Sequence, residues 1–220
     1  MALSRGVFVS IEGGEGAGKT LQARALVAHL EERGFNALYV REPGGTPVGE
    51  RVRDVLLFTQ DLQVRPEAEA LLFSAARAQL AREVIRPALE SGTHVVADRY
   101  ADSTIAYQGY GAGIDVAALY ALSRFAVGET VPVVTFLLDI ATSVAASRMR
   151  ERSEQWDRIE ARDAGFHERV RRGYLELARQ DPERWVILDG SLPAQELSRV
   201  IARRVTQEIR HHSNTIPTRP

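Results

Sequence analysis

A glycine-rich loop near the start of the sequence offers its clearest chemistry. Residues 13–20 read GGEGAGKT and match the pattern G-x-x-x-x-G-K-[ST], between a strand-like run and a helical pattern. Glycine tolerates positive φ angles, so successive backbone N–H groups in such a loop can converge on phosphate oxygens. Lys19 would reach the β- and γ-phosphates, and Thr20 would offer a hydroxyl to Mg²⁺. The loop predicts nucleotide binding and leaves transporters, GTPase switches, regulators and kinases all open.

A carboxylate and a guanidinium follow the apolar run His94–Ala97. In an open α/β sheet the carboxyl ends of the strands face the ligand crevice. Asp98 would therefore meet the metal or the reacting phosphates, and Arg99 would hold a phosphoryl group by a bidentate contact. Taken alone, the two residues could equally form a structural ion pair.

Three further segments place polar groups where a ligand could lie. REPGGT at 41–46 follows the second strand-like run, although Pro-Gly-Gly would make a turn there in any case. Phe73 and Arg77, spaced i, i+4 on a predicted helix, could stack on a base and read its edge, or be a core phenylalanine beside an arginine directed to solvent. The loop ADSTIAYQG at 101–109 supplies hydroxyls, an aromatic ring and a carboxamide that could contact a base and a sugar. Without a ligand in mind, it is simply a polar loop.

An arginine-rich segment, RMRERSEQWDR at 148–158, has two interpretations. As a surface helix it could pair its own charges. As a mobile lid it would bring arginines to the charge that develops on a transferring phosphoryl group.

An open α/β sheet would bring these groups together. Strands are predicted at Val7–Ile11, Ala37–Val40, His94–Ala97, Val133–Leu138 and Trp185–Leu188, and helices at Lys19–Arg33, Val48–Phe58, Pro66–Glu90, Asp115–Val127, Thr142–Arg152, Ala161–Arg179 and Ala194–Arg210. The strands are apolar on both faces, as buried parallel strands are. Strand–helix alternation with right-handed crossovers predicts a sheet flanked by helices.

Composition excludes several other classes. The 220 residues fit one domain, and 28 Lys and Arg against 29 Asp and Glu give a net charge of −1, which favours neither a nucleic-acid partner nor a membrane surface. The sequence has no cysteine, so a disulfide scaffold, a thiolate metal site and a cysteine nucleophile are excluded. Its apolar runs are too short for a signal peptide or a membrane span, and we expect a cytoplasmic protein.

Together these segments resemble the bacterial thymidylate kinases (dTMP kinases), which are P-loop nucleoside-monophosphate kinases. The matching segments are IEGGEGAGKT, REPGGT, FSAARAQ, DRYADSTIAYQG and RIE, in the family's order and with similar spacing from Val7 to about Arg210. The P-loop is generic, whereas REPGGT with DRY…S…AYQG is specific. The resemblance implies a five-stranded parallel sheet with a small arginine-rich lid at about 148–160, in a single domain 1–210. It also implies Mg²⁺-dependent transfer of a phosphoryl group from ATP to dTMP, in a homodimer. The polar residues 211–220, with two prolines, are expected to form a flexible tail.

The resemblance also assigns roles to individual residues. It implies ATP-phosphate contacts from Gly13, Gly14, Glu15, Gly16, Ala17, Gly18, Lys19 and Thr20. It implies dTMP contacts from Glu15, Arg41, Arg53, Phe73, Arg77, Arg99, Thr104, Tyr107 and Gln108, with Phe73 stacked on thymine. Metal contacts are expected from Thr20 and Asp98. The expected catalytic residues are Lys19, Asp98, Arg99, Arg152 and Arg158.

The sequence departs from the family pattern at the loop and at the lid. Gly16 stands where some members carry an arginine, so the lid is expected to supply the arginines, Arg152 first and Arg158 second. The lid also looks one residue longer than is common, since residues 153–156 read SEQW where a glycine often precedes the Asp-Arg pair.

Two rival functions stay open from the sequence. Another nucleoside-monophosphate or deoxynucleoside kinase would carry the same loop beside a different acceptor site. A non-catalytic P-loop regulator or GTP-dependent switch would need a guanine-reading Asn-Lys-x-Asp motif, which the sequence lacks.

Overall fold

Five parallel strands form the centre of the structure, a computed structural model that describes residues 5–59, 62–151 and 156–214. The strands are β1 (Phe8–Glu12), β2 (Ala37–Arg41), β3 (His94–Asp98), β4 (Val134–Asp139) and β5 (Trp185–Asp189). Their order across the sheet is β2-β3-β1-β4-β5, with every pairing parallel. The predicted five-stranded parallel sheet is confirmed.

Every strand ends on a charged residue, one position beyond its predicted end. These residues are Glu12, Arg41, Asp98, Asp139 and Asp189. The prediction stopped each strand at its last apolar side chain, but the ladder is made by backbone groups and continues through the charged residue. Arg41 thus pairs with Asp98 in the register of β2 and β3. The carboxyl edge of the sheet is lined with ionisable groups.

Helices connect the strands and cover both faces. They are α1 (Lys19–Glu32), α2 (Pro47–Arg53), α3 (Pro66–Leu80), α4 (Arg86–Glu90), α5 (Ala101–Thr104), α6 (Val116–Val127), α7 (Thr142–Glu151), α8 (Ala164–Gln180) and α9 (Ala194–Asn214). Wider π-helical turns continue α2, α3 and α5 at Asp54–Phe58, Ala81–Ile85 and Ile105–Gly111. The predicted helix Pro66–Glu90 is therefore one path with a π-helical middle.

Two helix boundaries differ from the prediction by about three residues or more. Helix α8 begins at Ala164 rather than Ala161, because the carboxylate of Asp163 accepts the N–H of Phe166 at 2.9 Å and caps the helix there. Helix α9 continues past Arg210 to Asn214, and residues 215–220 of the predicted tail lie outside the described residues.

Alternate side chains of each central strand enter different cores. In β4, Val134 and Phe136 pack with α1 and α9 on one face, whereas Leu137 packs with α8 and the turns after α5 on the other. In β3, Val95 and Ala97 join α3, α4 and α6. Burial on both faces explains why the strands lack polar alternation, and it fixes the edge at which the ligand-facing ends emerge.

Candidate active site

Most of the predicted site residues meet in one cleft of about 350 Å³ at the carboxyl edge of β1, β2 and β3. Those that line it are Glu15, Gly16, Gly18, Lys19, Thr20, Arg41, Arg53, Phe73, Asp98, Arg99, Thr104, Tyr107 and Gln108. The strand order explains the meeting, because β3 lies between β2 and β1 and so brings three distant loops to one edge. Open α/β sheets commonly bind their ligands in a crevice at this edge.

The glycine-rich loop wraps around the side chain of Lys19. Gly13, Gly16 and Gly18 have φ angles of 142°, 70° and 91°, which side chains rarely allow, and a Cβ on Gly13 would lie 2.6 Å from the carbonyl oxygen of Leu138. Lys19 Nζ donates to the carbonyl oxygen of Gly14 at 2.6 Å. Burial, with the nearby Arg99 guanidinium, lowers the pKa of Lys19 to about 8, so the ammonium is still charged at neutral pH. Lys19 is the only lysine in the sequence.

Arg99 joins the loop to the other side of the cleft. It is the one residue other than glycine with a positive φ, 70°, in the described part of the chain, a strained conformation that concentrates at functional sites. Its Nη2 donates to Glu15 Oε1 at 2.5 Å and to the hydroxyl of Tyr107 at 2.8 Å, and that hydroxyl donates to Glu15 at 2.8 Å. Burial alone would raise the pKa of Glu15, but Arg99 and Lys19 outweigh it and lower the value to about 2. Glu15 is therefore ionised at neutral pH.

Thr20 and Asp98, the two predicted metal contacts, lie side by side. The hydroxyl of Thr20 donates to Asp98 Oδ2 at 2.5 Å, and the hydroxyl of Tyr39 donates to the same oxygen at 3.3 Å. The described residues contain no cluster of three or more carboxylate, histidine or cysteine ligands. A hydroxyl and one carboxylate beside a phosphate loop fit Mg²⁺, which prefers oxygen ligands and completes its shell with phosphates and water.

The far end of the cleft carries a buried network. Arg77 is 1% exposed, and its Nε and Nη2 both donate to Glu42 Oε2 at 2.7 Å while its Nη1 donates to Thr104 Oγ1 at 3.0 Å. Arg77 thus lies behind Thr104 and Glu42, which line the cleft, and the alternative of an arginine directed to solvent is wrong. Phe73, one turn earlier, is half-buried and faces the cleft. A flat apolar ring and fixed polar groups suit a nucleobase.

Comparison with known proteins agrees with this geometry. The family model described as thymidylate kinase matches residues 11–201. The chain is similar to the thymidylate kinases of Roseiflexus sp. (strain RS-1), 46% identical over 89% of this chain and 91% of the relative, and of Thermomicrobium roseum, 46% identical over 91% and 94%. It is also similar to that of Deinococcus radiodurans, 45% identical over 93% of this chain and 98% of the relative.

The chain belongs to the thymidylate kinase family. The sequence resemblance is therefore confirmed. Among the described ranges, the structure has no helix with the length and hydrophobicity needed to cross a membrane.

Not every residue that the family resemblance singled out lines the cleft. The carbonyls of Gly13 and Gly14 instead hold Arg99 (3.1 Å) and Lys19, and Ala17 is buried in the core below the loop. Arg152, the first candidate among the lid arginines, lies outside the described residues. Arg158, the second, binds Glu69 Oε1 through Nη1 at 2.6 Å and the carbonyl oxygen of Leu56 through Nε at 2.9 Å. Which arginine serves as the lid cation of this chain stays a prediction.

Unlike Arg99, which pairs with Glu15 at 2.5 Å, the acceptor-side arginines Arg41 and Arg53 make no close ion pair among the described residues. Arg53 Nη1 donates to the carbonyl oxygen of Pro43 at 2.9 Å. Arg41 approaches Glu50 only at 3.8 Å, with both side chains about half exposed. Their positive charge is available to an anionic ligand.

Sequence reasoning missed several acids and hydroxyls of this site. Glu12, fully buried at the end of β1, accepts hydrogen bonds from the backbone N–H of Tyr100 at 2.7 Å, from Ser103 at 2.7 Å and from Tyr174 at 2.8 Å. Burial, reinforced by the charge of Asp102, raises the pKa of Glu12 to about 7. An acid at the end of an apolar run was the signal that could have found it. Tyr39 and Glu69 were also missed.

Proposed function

We propose that the chain transfers the γ-phosphoryl group of ATP to the 5′-phosphate of dTMP and releases ADP and dTDP. One observation supports this proposal above the others: Arg99 and Glu15 join the phosphate loop directly to the wall that carries Tyr107, Thr104 and Gln108. A P-loop protein that only binds or hydrolyses a nucleotide has no need of a second, base-sized pocket fused to its loop. The membership of the thymidylate kinase family names the acceptor for that pocket.

The proposed chemistry is a direct in-line transfer. An oxygen of the dTMP 5′-phosphate attacks the γ-phosphorus, and the bond from that phosphorus to the bridging oxygen of ADP breaks. No covalent enzyme intermediate is needed, so catalysis consists of positioning and charge stabilisation. Lys19 is placed to bind β- and γ-phosphate oxygens, and Arg99 to hold the acceptor phosphate against them.

The remaining roles follow the same geometry. Thr20 and Asp98 would hold Mg²⁺, which when bound neutralises phosphate charge. Ionised Glu15 would accept a hydrogen bond from the sugar hydroxyl of dTMP, and Phe73 would stack on the base. Arg41 and Arg53 would surround the acceptor phosphate. The catalytic lid arginine and the homodimer stay predictions from the family resemblance, and the cytoplasmic location stays a prediction from the short apolar runs.

Product analysis with a panel of acceptors tests the proposal. Purified protein with Mg·ATP is given dTMP, dUMP, UMP or dCMP, and both ADP and the nucleoside diphosphate are measured. We expect the highest kcat/KM for dTMP. Equal use of all four acceptors would instead support a nucleotide kinase of another specificity. Binding of ATP and dTMP with no dTDP formed would support a non-catalytic regulator.

A further inference from the structure

Glu69 is a completely buried acid on α3 that no part of the proposed mechanism uses. Its side chain is 0% exposed. One oxygen, Oε1, accepts from Arg158 Nη1 at 2.6 Å and from Arg162 Nη2 at 2.5 Å. The other, Oε2, accepts from the side-chain amide nitrogen of Gln108 at 3.3 Å. Glu69 therefore lies between two arginines and a residue of the acceptor pocket.

We propose that Glu69 is a positioning residue that fixes the side-chain amide of Gln108 so that its carbonyl oxygen faces the acceptor base. The inference rests on the proposed function. An ionised carboxylate can only accept hydrogen bonds, and guanidinium groups can only donate them. Because both arginines donate to Glu69 and the amide nitrogen of Gln108 donates to its other oxygen, Gln108 turns its NH₂ group toward Glu69; the reverse orientation would set two acceptors against each other.

The carbonyl oxygen of Gln108 is the part of this side chain left for a ligand. Gln108 is 1% exposed, yet it lines the cleft. Among the described residues, neither polar atom of the Gln108 amide is both buried and without a hydrogen-bond partner. The amide nitrogen is occupied by Glu69. The oxygen can thus act as a fixed acceptor at the wall of the pocket.

A fixed acceptor selects between pyrimidines at one position of the ring. Thymine and uracil carry N3–H, a donor, whereas N3 of cytosine is an acceptor. The carbonyl oxygen of Gln108 can bind the first two and would face cytosine N3 as a second, unpaired acceptor. Leaving buried acceptors unpaired costs binding free energy, so Glu69 would exclude cytosine through Gln108.

Glu69→Gln tests the relay because it is isosteric and its outcome has a direction. In that variant the two arginines still donate, and they hold the new amide with its oxygen toward them. Its NH₂ group then faces Gln108, which has to invert and present its own NH₂ group to the pocket. The measurement is kcat/KM for dUMP and for dCMP, two acceptors with the same sugar and without the thymine methyl. We expect the dUMP/dCMP ratio to fall by about tenfold or more.

Asp102→Asn is the matched control. Asp102 is a buried acid held by Arg184 at 2.7 and 3.0 Å, and it does not line the cleft. This variant removes a buried charge in the same way without touching Gln108, so its dUMP/dCMP ratio should equal that of the unmodified chain even where its melting temperature falls.

Three results would be decisive. If Glu69→Gln lowers activity on dUMP and dCMP by the same factor, Glu69 is only structural and the inference is overturned. If Glu69→Gln does not fold, Gln108→Met decides: an unchanged ratio overturns the inference and a tenfold fall supports it. If the unmodified chain phosphorylates neither dTMP nor dUMP, the proposed function fails first, and Glu69 has no base to select.

Discussion

The two ends of the cleft handle charge in opposite ways. At the base end, Arg77 and Glu42 are 1% and 3% exposed and neutralise each other within the protein. At the phosphate end, Lys19 and Arg53 donate to backbone carbonyls, and Arg41 has only a distant, half-exposed carboxylate. The contrast matches two kinds of ligand. We expect a neutral base to bind hydrogen-bonding groups that are already in place. We expect phosphates to bring the counter-charge that Arg41 and Arg53 lack, whereas Arg99 already pairs with Glu15.

The difference also separates what mutations should do. A buried pair contributes to the fold, because removing one partner leaves an unpaired charge in the interior. A cation whose counter-charge comes from the ligand contributes to function instead, because no carboxylate of the described residues depends on it for pairing. Substitutions of the buried pair at the base end should therefore change stability, and substitutions of the cations at the phosphate end should change turnover.

Arg77→Met makes the largest change at the base end. It leaves Glu42 buried without its partner, and we expect the free energy of unfolding to fall by about 3–5 kcal/mol. Denaturant unfolding measures this. Arg179→Met is the control, because Arg179 belongs to an exposed pair with Glu176 whose loss costs about 1 kcal/mol or less. Equal effects of the two substitutions would contradict the contrast between the ends.

Lys19→Ala makes the corresponding change at the phosphate end. A preorganised donor to the developing charge is lost, and kcat should fall by about 10²–10³-fold. Stability should change far less than in Arg77→Met, since the one hydrogen bond that Lys19 donates among the described residues goes to a carbonyl of its own loop. Steady-state kinetics and thermal melting test both halves. Arg33→Ala, on the exposed end of α1, should change neither. A kcat near that of the unmodified chain would show that the loop does not bind the reacting phosphates.

Phe73→Ala tests the base end by binding rather than by stability. Stacking of a ring on a base contributes enough for KM of dTMP to rise by about tenfold, with kcat little changed. Leu71→Ala is the control on the same helix, because Leu71 is 59% exposed and lies outside the cleft. An unchanged KM with a lower melting temperature would mean that Phe73 serves the core alone.

Glu12→Gln should have the smallest effect, and only on pH dependence. Burial raises the pKa of Glu12 from its usual 4.5 to about 7, so between these values the folded chain binds a proton that the unfolded chain has released. Stability contributed by this group therefore falls as pH rises from about 4.5 to 7 and is constant above. Glutamine at position 12 removes this fall in stability. A similar fall remains from Glu42, because burial raises the pKa of Glu42 to about 7 as well. Melting temperatures from pH 4.5 to 8 should show a shallower decline; an identical profile would contradict the assignment.

Local patterns were enough to predict much of the fold and several residues that meet in the cleft. The five strands and the helix path from Pro66 to Glu90 follow from runs of apolar residues, and the loop 13–20 carries its function in its own backbone. The lid was predicted as a segment, but Arg152 is outside the described residues and Arg158 contacts Glu69. The sequence could not reveal that contact, because the partners are 89 positions apart.

By itself the sequence determined which residues are predicted to bind phosphate, because a P-loop works through consecutive residues and glycine conformations that are local properties of the chain. Only the tertiary structure decided the roles of the acids. Glu12, Glu42 and Glu69 look alike in the sequence as acids near apolar runs. Packing gave each a different set of donors: hydroxyls and a backbone N–H for Glu12, Arg77 for Glu42, two arginines and an amide for Glu69. A buried carboxylate takes its function from the donors that surround it, and those donors come from distant parts of the chain.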